Sequence, residues 1–256
     1  GPTREAIARE AHRLPRVAGE RVREEVAKLL TLPVAVPQLE GLAAAGLLGR
    51  LLPEAYNAGS LDHGVALCAK LEAALAGPSD LHPRLRARYA VPGGERRLFR
   101  IKLAALLLPR PGPDGAPGAP LPGSADPATA AWGGWHLARR DEAALAVLIG
   151  RQSLARDLLS AHREDHLTAE RIVEAFTAAG AQLPDLLLLA RLQAGAGPVD
   201  PSRVPGDPRL FYDRLIHYYM EVHLPRQEAP RLLGGADLIR ELGLAHGAVD
   251  AGDHVP

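Results

Sequence analysis

The sequence predicts an all-α protein, and three observations carry that prediction. Apolar residues recur at helical spacing, most clearly in Val22, Val26, Leu29 and Leu30 and again in Phe211, Leu215, Tyr218, Tyr219 and Val222, the pattern of a helix with one buried stripe. No convincing run of alternating residues bounded by hairpin turns competes with it. The 256 residues, 47% of them hydrophobic, suffice for one large helical domain or two smaller ones sharing a core.

Taken in order, Thr3 can cap a first helix whose inner face is Ile7, Ala11 and Leu14 and which Pro15 ends. The second helix carries the Val22 to Leu30 stripe, with Arg21 and Glu25, and Glu24 and Lys28, four apart on its exposed side. A third covers Gln38 to Leu52, loosened by Gly41, Gly46 and Gly49, and a fourth runs from Ser60 to Ala76 and closes at Gly77-Pro78. A short helix spans Leu81 to Tyr89. After the break at Pro92-Gly93-Gly94, Arg96 to Leu108 forms another, apolar on Leu103, Leu106 and Leu107. Residues 109–134 are rich in Pro and Gly and lack the side chains for a core, so they form a flexible linker, which Trp132 and Trp135 are expected to pin to the body. Helical pattern resumes over Asp141 to Leu159, over Ala169 to Ala179 with Ile172, Phe176 and Ala179 inward, and over Asp185 to Ala194. A second linker, Gly195 to Pro208, leads to the Phe211 helix, and a short helix from Ala236 to Leu242 precedes a Gly-rich end.

Thirty basic and thirty acidic residues cancel, so nucleic acid could be held only by a local patch. One cysteine, Cys68, excludes an internal disulfide and a multi-cysteine zinc site; lying in Val65-Ala-Leu-Cys-Ala, it reads as core. No apolar run of about 18 residues and no signal-peptide pattern stands out, which leads to the expectation of a cytoplasmic protein without a membrane partner.

The order of three short stretches is more specific than composition. Residues 2–12 followed by Val17-Ala-Gly-Glu20-Arg21-Val22-Arg23-Glu24-Glu25 look like the neck of the tRNA nucleotidyltransferase and poly(A) polymerase family, where an E-R-x-x-x-E helix follows the catalytic head. Gly46-Leu47-Leu48-Gly-Arg-Leu-Leu-Pro53-Glu54 is similar to the family's hinge, and Pro230-Arg-Leu-Leu-Gly234-Gly-Ala-Asp237-Leu238 to Gly243-Leu244 resembles its tail motif. The resemblance implies an elongated neck, body and tail of the bacterial type: an RNA-binding neck over 1–54, first part of the body over 55–108, linker over 109–134, second part of the body over 135–196, tail over 197–256.

It also implies what should be missing. The family's head carries a Gly-Gly phosphate-gripping turn, a D-x-D metal pair and an E-D-x-x-R motif, and no such head is recognisable here, so the sequence is expected to start where the head would end. Mg²⁺ and CTP or ATP are then expected only with that head, and no cofactor with this chain. In many relatives the body is an HD-type metal-dependent phosphohydrolase domain. Here His63, in Leu61-Asp62-His63, stands where its first His would be, but Leu108-Pro109 replaces the His-Asp pair, which implies a degenerate body without metal and argues against an active phosphohydrolase.

For RNA contact the strongest feature is the stretch from Arg84 to Lys102, which holds Arg84, Arg86, Arg88, Arg96, Arg97, Arg100 and Lys102 against one acidic residue, Glu95. Such a concentration can grip a phosphate backbone; the alternative is a helix face paired with carboxylates from elsewhere. His162 and His166, four apart, and His217 and His223, six apart, do not carry the context of a metal site. The spacing of Phe211, Tyr218 and Tyr219 makes them core in preference to base-stacking platforms. The expected function is therefore to hold the acceptor arm of tRNA, by shape and backbone charge, for 3′-terminal addition by a head of the same parent protein; DNA is not an expected partner. The alternative is a degenerate HD-type domain acting as a protein-interaction or regulatory module.

Overall fold

A computed structural model describes residues 2–52, 58–77, 81–108, 137–195 and 207–228, and they are helical throughout, with no strand among them. Helix α1 spans Pro2–Glu10 and passes into a 3-10 segment, Ala11–Arg16; α2 is Gly19–Leu30, α3 Val36–Ala44 and α4 Leu48–Leu51. The body follows as α5 (Ala58–Ala76), α6 (Pro83–Ala90), α7 (Gly94–Leu107), α8 (Arg139–Gly150), α9 (Gln152–Arg163), α10 (Ala169–Ala179) and α11 (Leu183–Ala194). Then come α12 (Pro208–Tyr218), a π turn over Tyr219–His223 and α13 (Leu224–Glu228). The linker 109–134, Trp132 and Trp135, Pro53-Glu54, Pro109 and the tail motif from Pro230 lie outside the described residues.

Breaks in the predicted helices have local causes. The Gln38 to Leu52 helix is two, because Gly46 adopts a left-handed φ of +68°. Its N–H donates to the Ala43 carbonyl at 2.9 Å while Leu47 N–H donates to that of Leu42 at 2.9 Å, the Schellman ending that glycine favours. The Asp141 to Leu159 helix likewise divides at Gly150–Arg151, where Arg151 has φ −107° and ψ 23°. Caps are explicit where the sequence supplies them: Thr168 accepts from Arg171 N–H at 3.4 Å, and Asp207 from Arg209 N–H at 2.9 Å.

Two helices are surrounded on all sides. Every residue from Leu98 to Leu107 of α7, and from Leu183 to Leu192 of α11, is buried. Helix α7 packs on α5, α6, α8 and α2; α11 packs on α12, α9 and α5. One apolar cluster runs from Leu30 in α2 through both to Met220, so the segments read as neck and body share a core. Within Ala169–Ala194 an 18-residue window reaches a mean hydropathy of 1.4, correcting the expectation that no such run exists. The run is interrupted at Gly180, with φ +53°, and its Leu183 to Leu192 half fills the centre of this fold.

Three side-chain expectations are corrected. Ile7 is 42% exposed, since α1 packs chiefly on the 3-10 segment that follows it and has no second layer to face. Tyr218 is 44% exposed whereas Tyr212 is buried. At about 100° per residue the stripe Phe211, Tyr212, Leu215, Ile216, Tyr219 centres roughly 70° past Phe211, leaving Tyr218 just beyond its edge. On α2, Lys28 pairs with Glu25 at 2.8 Å, three residues back, in place of Glu24.

Candidate nucleic-acid interface

The turn Pro92-Gly93-Gly94 joins α6 to α7 and folds the two halves of the basic stretch together. Gly93 has φ +87°, and a Cβ on Gly94 would lie 2.4 Å from the Tyr89 carbonyl oxygen, so only glycine permits this corner.

Most of the seven cations then meet partners inside the protein. Arg96 and Arg100, one turn apart on α7, both reach Asp141 of α8, at 2.9 and 2.6 Å. Burial alone would raise the Asp141 carboxyl, but the hydrogen bonds from Arg96 and Arg100 outweigh it and hold the group below the usual carboxylate range. On another side of α7, Arg97 reaches the buried Asp185 of α11 at 3.2 Å, and Tyr89 donates its hydroxyl to the same oxygen at 2.8 Å. Burial dominates there and pushes the Asp185 carboxyl up, against Arg97 and Tyr89. Lys102, with 0% exposure, bonds Glu72 of α5 at 2.6 Å and the Leu32 carbonyl at 2.6 Å. Arg86 donates to the Gly77 carbonyl at the end of α5 at 2.9 Å, and Arg84 to that of Met220 in the π turn at 3.0 Å.

This corrects the expectation for Arg97, Arg100 and Lys102. These three lie on a helix enclosed by α2, α5, α6 and α8, and each is matched to a carboxylate on a different neighbour. Arg86 and Arg88 are half-buried; Arg84 and Arg96 keep side chains 57% and 54% exposed. The first four helices, expected as an RNA-binding neck but without named contact residues, keep Arg9, Arg21, Lys28 and Arg50 exposed, dispersed among acidic residues. The neck resemblance already pointed there, while local charge density drew attention elsewhere.

The other candidates are structural by their contacts. Cys68 is fully buried and donates from Sγ to the Lys102 carbonyl at 3.6 Å. His162 stacks on Phe211 with ring centres 4.8 Å apart, and His223 packs edge-on against Phe176 at 5.0 Å. Next to His63, a Cβ on Gly64 would meet the Leu106 backbone at 2.8 Å, so α5 and α7 touch main chain to main chain beside the buried Leu107 and Leu108. No group of three or more His, Cys, Asp or Glu residues able to hold a metal ion occurs among the described residues. An open apolar groove of about 540 Å³ runs between α2, α3 and α4, lined by Val17, Val22, Leu29, Leu32, Leu42 and Leu47 among others, with Arg21 and Lys28 on its rim.

Comparison with known proteins meets this geometry at the same helices. Residues 2–58 match the family model described as a probable RNA and SrmB-binding site of polymerase A. A CC-adding tRNA nucleotidyltransferase of Geobacter sulfurreducens (strain ATCC 51573 / DSM 12127 / PCA) is 38% identical over 99 residues, covering 37% of this chain and 23% of that relative. The match thus spans less than a quarter of the relative's own length.

Proposed function

We propose that this chain is a member of the tRNA nucleotidyltransferase and poly(A) polymerase family, which the match over residues 2–58 and the 38% identical relative support, and that it holds the acceptor arm of tRNA while a catalytic head of the same parent protein extends the 3′ end. The observation that carries the reading is the coincidence of the RNA-binding family segment, residues 2–58, with the helices that keep Arg9, Arg21 and Arg50 exposed. Phosphate contacts from these dispersed cations, joined by Arg84 and Arg96, grip the duplex without reading its bases. Nucleotide addition, with its Mg²⁺ and CTP or ATP, is assigned to the head. The body is read as an HD-type scaffold that has lost its metal, and the cytoplasm as the place of action.

Titration of the whole chain with tRNA at two salt concentrations tests this. Binding should weaken steeply with salt, and Arg21→Glu with Arg50→Glu should flatten that dependence by roughly one unit of log–log slope for each phosphate that is no longer neutralised. Arg84→Glu and Arg96→Glu should weaken binding as well. Salt-insensitive or absent binding would remove the reading.

A second reading rests on the apolar groove. Val17 and Leu32 on its wall are exposed, as expected of a surface that receives an apolar side of another protein. Under that reading the module is an interaction domain, and Leu32→Asp would abolish partner binding while leaving RNA affinity unchanged.

A further inference from the structure

The connection between α2 and α3 enters the body through a buried ion pair. Glu72 of α5 accepts from the Ala35 N–H at 2.7 Å and the Val36 N–H at 3.4 Å, the first donors of α3. Lys102 of α7 donates to the carbonyls of Leu32 and Pro33, just past the end of α2, at 2.6 and 3.4 Å. The two side chains bond each other at 2.6 Å. A carboxylate thus closes the positive start of α3, with the polarity a helix N-terminus requires, and an ammonium gathers the carbonyls of the turn that follows α2.

From this geometry we infer that Glu72 and Lys102 are positioning residues that set the direction of the first four helices against the body, and so the geometry in which those helices present their cations to RNA. The RNA part rests on the function proposed above; the positioning part does not. Apolar packing of Leu30, Leu39 and Leu48 holds the two parts together, but it is non-directional. Hydrogen bonds to four named main-chain groups are directional, and a charge buried with all its partners has no alternative arrangement of similar energy. Pairing alone does not explain the arrangement. Exchanging the two residues would keep a pair yet turn an ammonium toward N–H groups and a carboxylate toward carbonyls.

The test uses the full chain carrying spin labels at Glu24→Cys in α2 and Asp157→Cys in α9, both exposed positions, with Cys68 too buried to compete. A second labelled pair, Asp62→Cys with Asp157→Cys, reports the body alone. Glu72→Gln keeps an acceptor and loses the charge; Lys102→Met keeps bulk and loses the donor; E72K/K102E keeps the pair with inverted polarity. The α2–α9 distance distribution should shift or broaden by several ångströms in all three, with the body distance unchanged and tRNA affinity several-fold lower. An unaltered α2–α9 distribution, or restoration of the native one in E72K/K102E, overturns the inference. Should Lys102→Met or the exchange fail to fold, Glu72→Gln alone decides. If the native chain does not bind tRNA, the proposed function fails while the distance measurements still judge the positioning role.

Discussion

Cys68 shows how far a single residue can be read. Burial pushes its thiol up to about 12, against an ordinary cysteine near 9, and its Sγ already donates to the Lys102 carbonyl. The thiolate that attacks disulfide reagents is therefore absent at neutral pH. Native protein should leave an aromatic disulfide reagent uncleaved for hours, and should release one equivalent of chromophore once unfolded in guanidinium. The apolar neighbours of Cys68 made this legible in the sequence. Lys102 was not, because a long cation is normally placed at the surface. Yet the warning was present: Leu98, Phe99 and Ile101 precede Lys102 and the unbroken apolar run Leu103 to Leu107 follows it, and a run that is apolar on every side belongs in an interior. Its partners were also visible as acids set in apolar surroundings, Glu72 after Leu71 and Asp185 before Leu186. Pairing them needed the third dimension.

At the scale of elements, α5 crosses α7 in main-chain contact at Gly64. A methyl group there would sit 2.8 Å from the Leu106 backbone, and main chain cannot yield as a side-chain tip does. Gly64→Ala should destabilise by about 1–3 kcal/mol, lowering Tm by roughly 2–4 °C for each kcal/mol in a chain of this size, as calorimetry would show. Gly150→Ala meets nothing within 4 Å and should change Tm little. Periodicity located these helices well because burial and the 3.6-residue repeat select the same residues. It merged α3 with α4 and α8 with α9, since a stripe can continue across a break that one glycine makes. The basic stretch misled for a related reason: charge counted along a chain does not report the sides of a helix on which the charges emerge.

For the whole molecule, the formal charge of zero conceals an interior rich in matched ions, and acid should attack it in two stages. Burial lowers the imidazoles of His82 and His223 below the ordinary 6.5, His82 in spite of Glu221 and with help from His217 and Arg84, His223 with help from Arg226. Both are neutral in folded and unfolded chains above pH 6.5, so their contribution is complete there. Below it the unfolded chain takes up protons that the folded one declines, and stability falls until the folded values are passed. Asp141, lowered from 3.8, adds a second loss as pH falls through its folded value. Thermal melts between pH 7.5 and 5 should decline in the native protein and flatten in the double variant His82→Asn, His223→Asn; an unchanged slope would refute the first stage. The enclosure of α7 has a further consequence, in time. Its amides from Ile101 to Leu107 can meet solvent only when α2, α5, α6 and α8 have all come away, so their exchange with deuterium clocks the opening of the entire fold. Those of α1, resting on little more than its own following turn, exchange long before, and the interval between the two measures how much of the molecule must be taken apart to reach its centre.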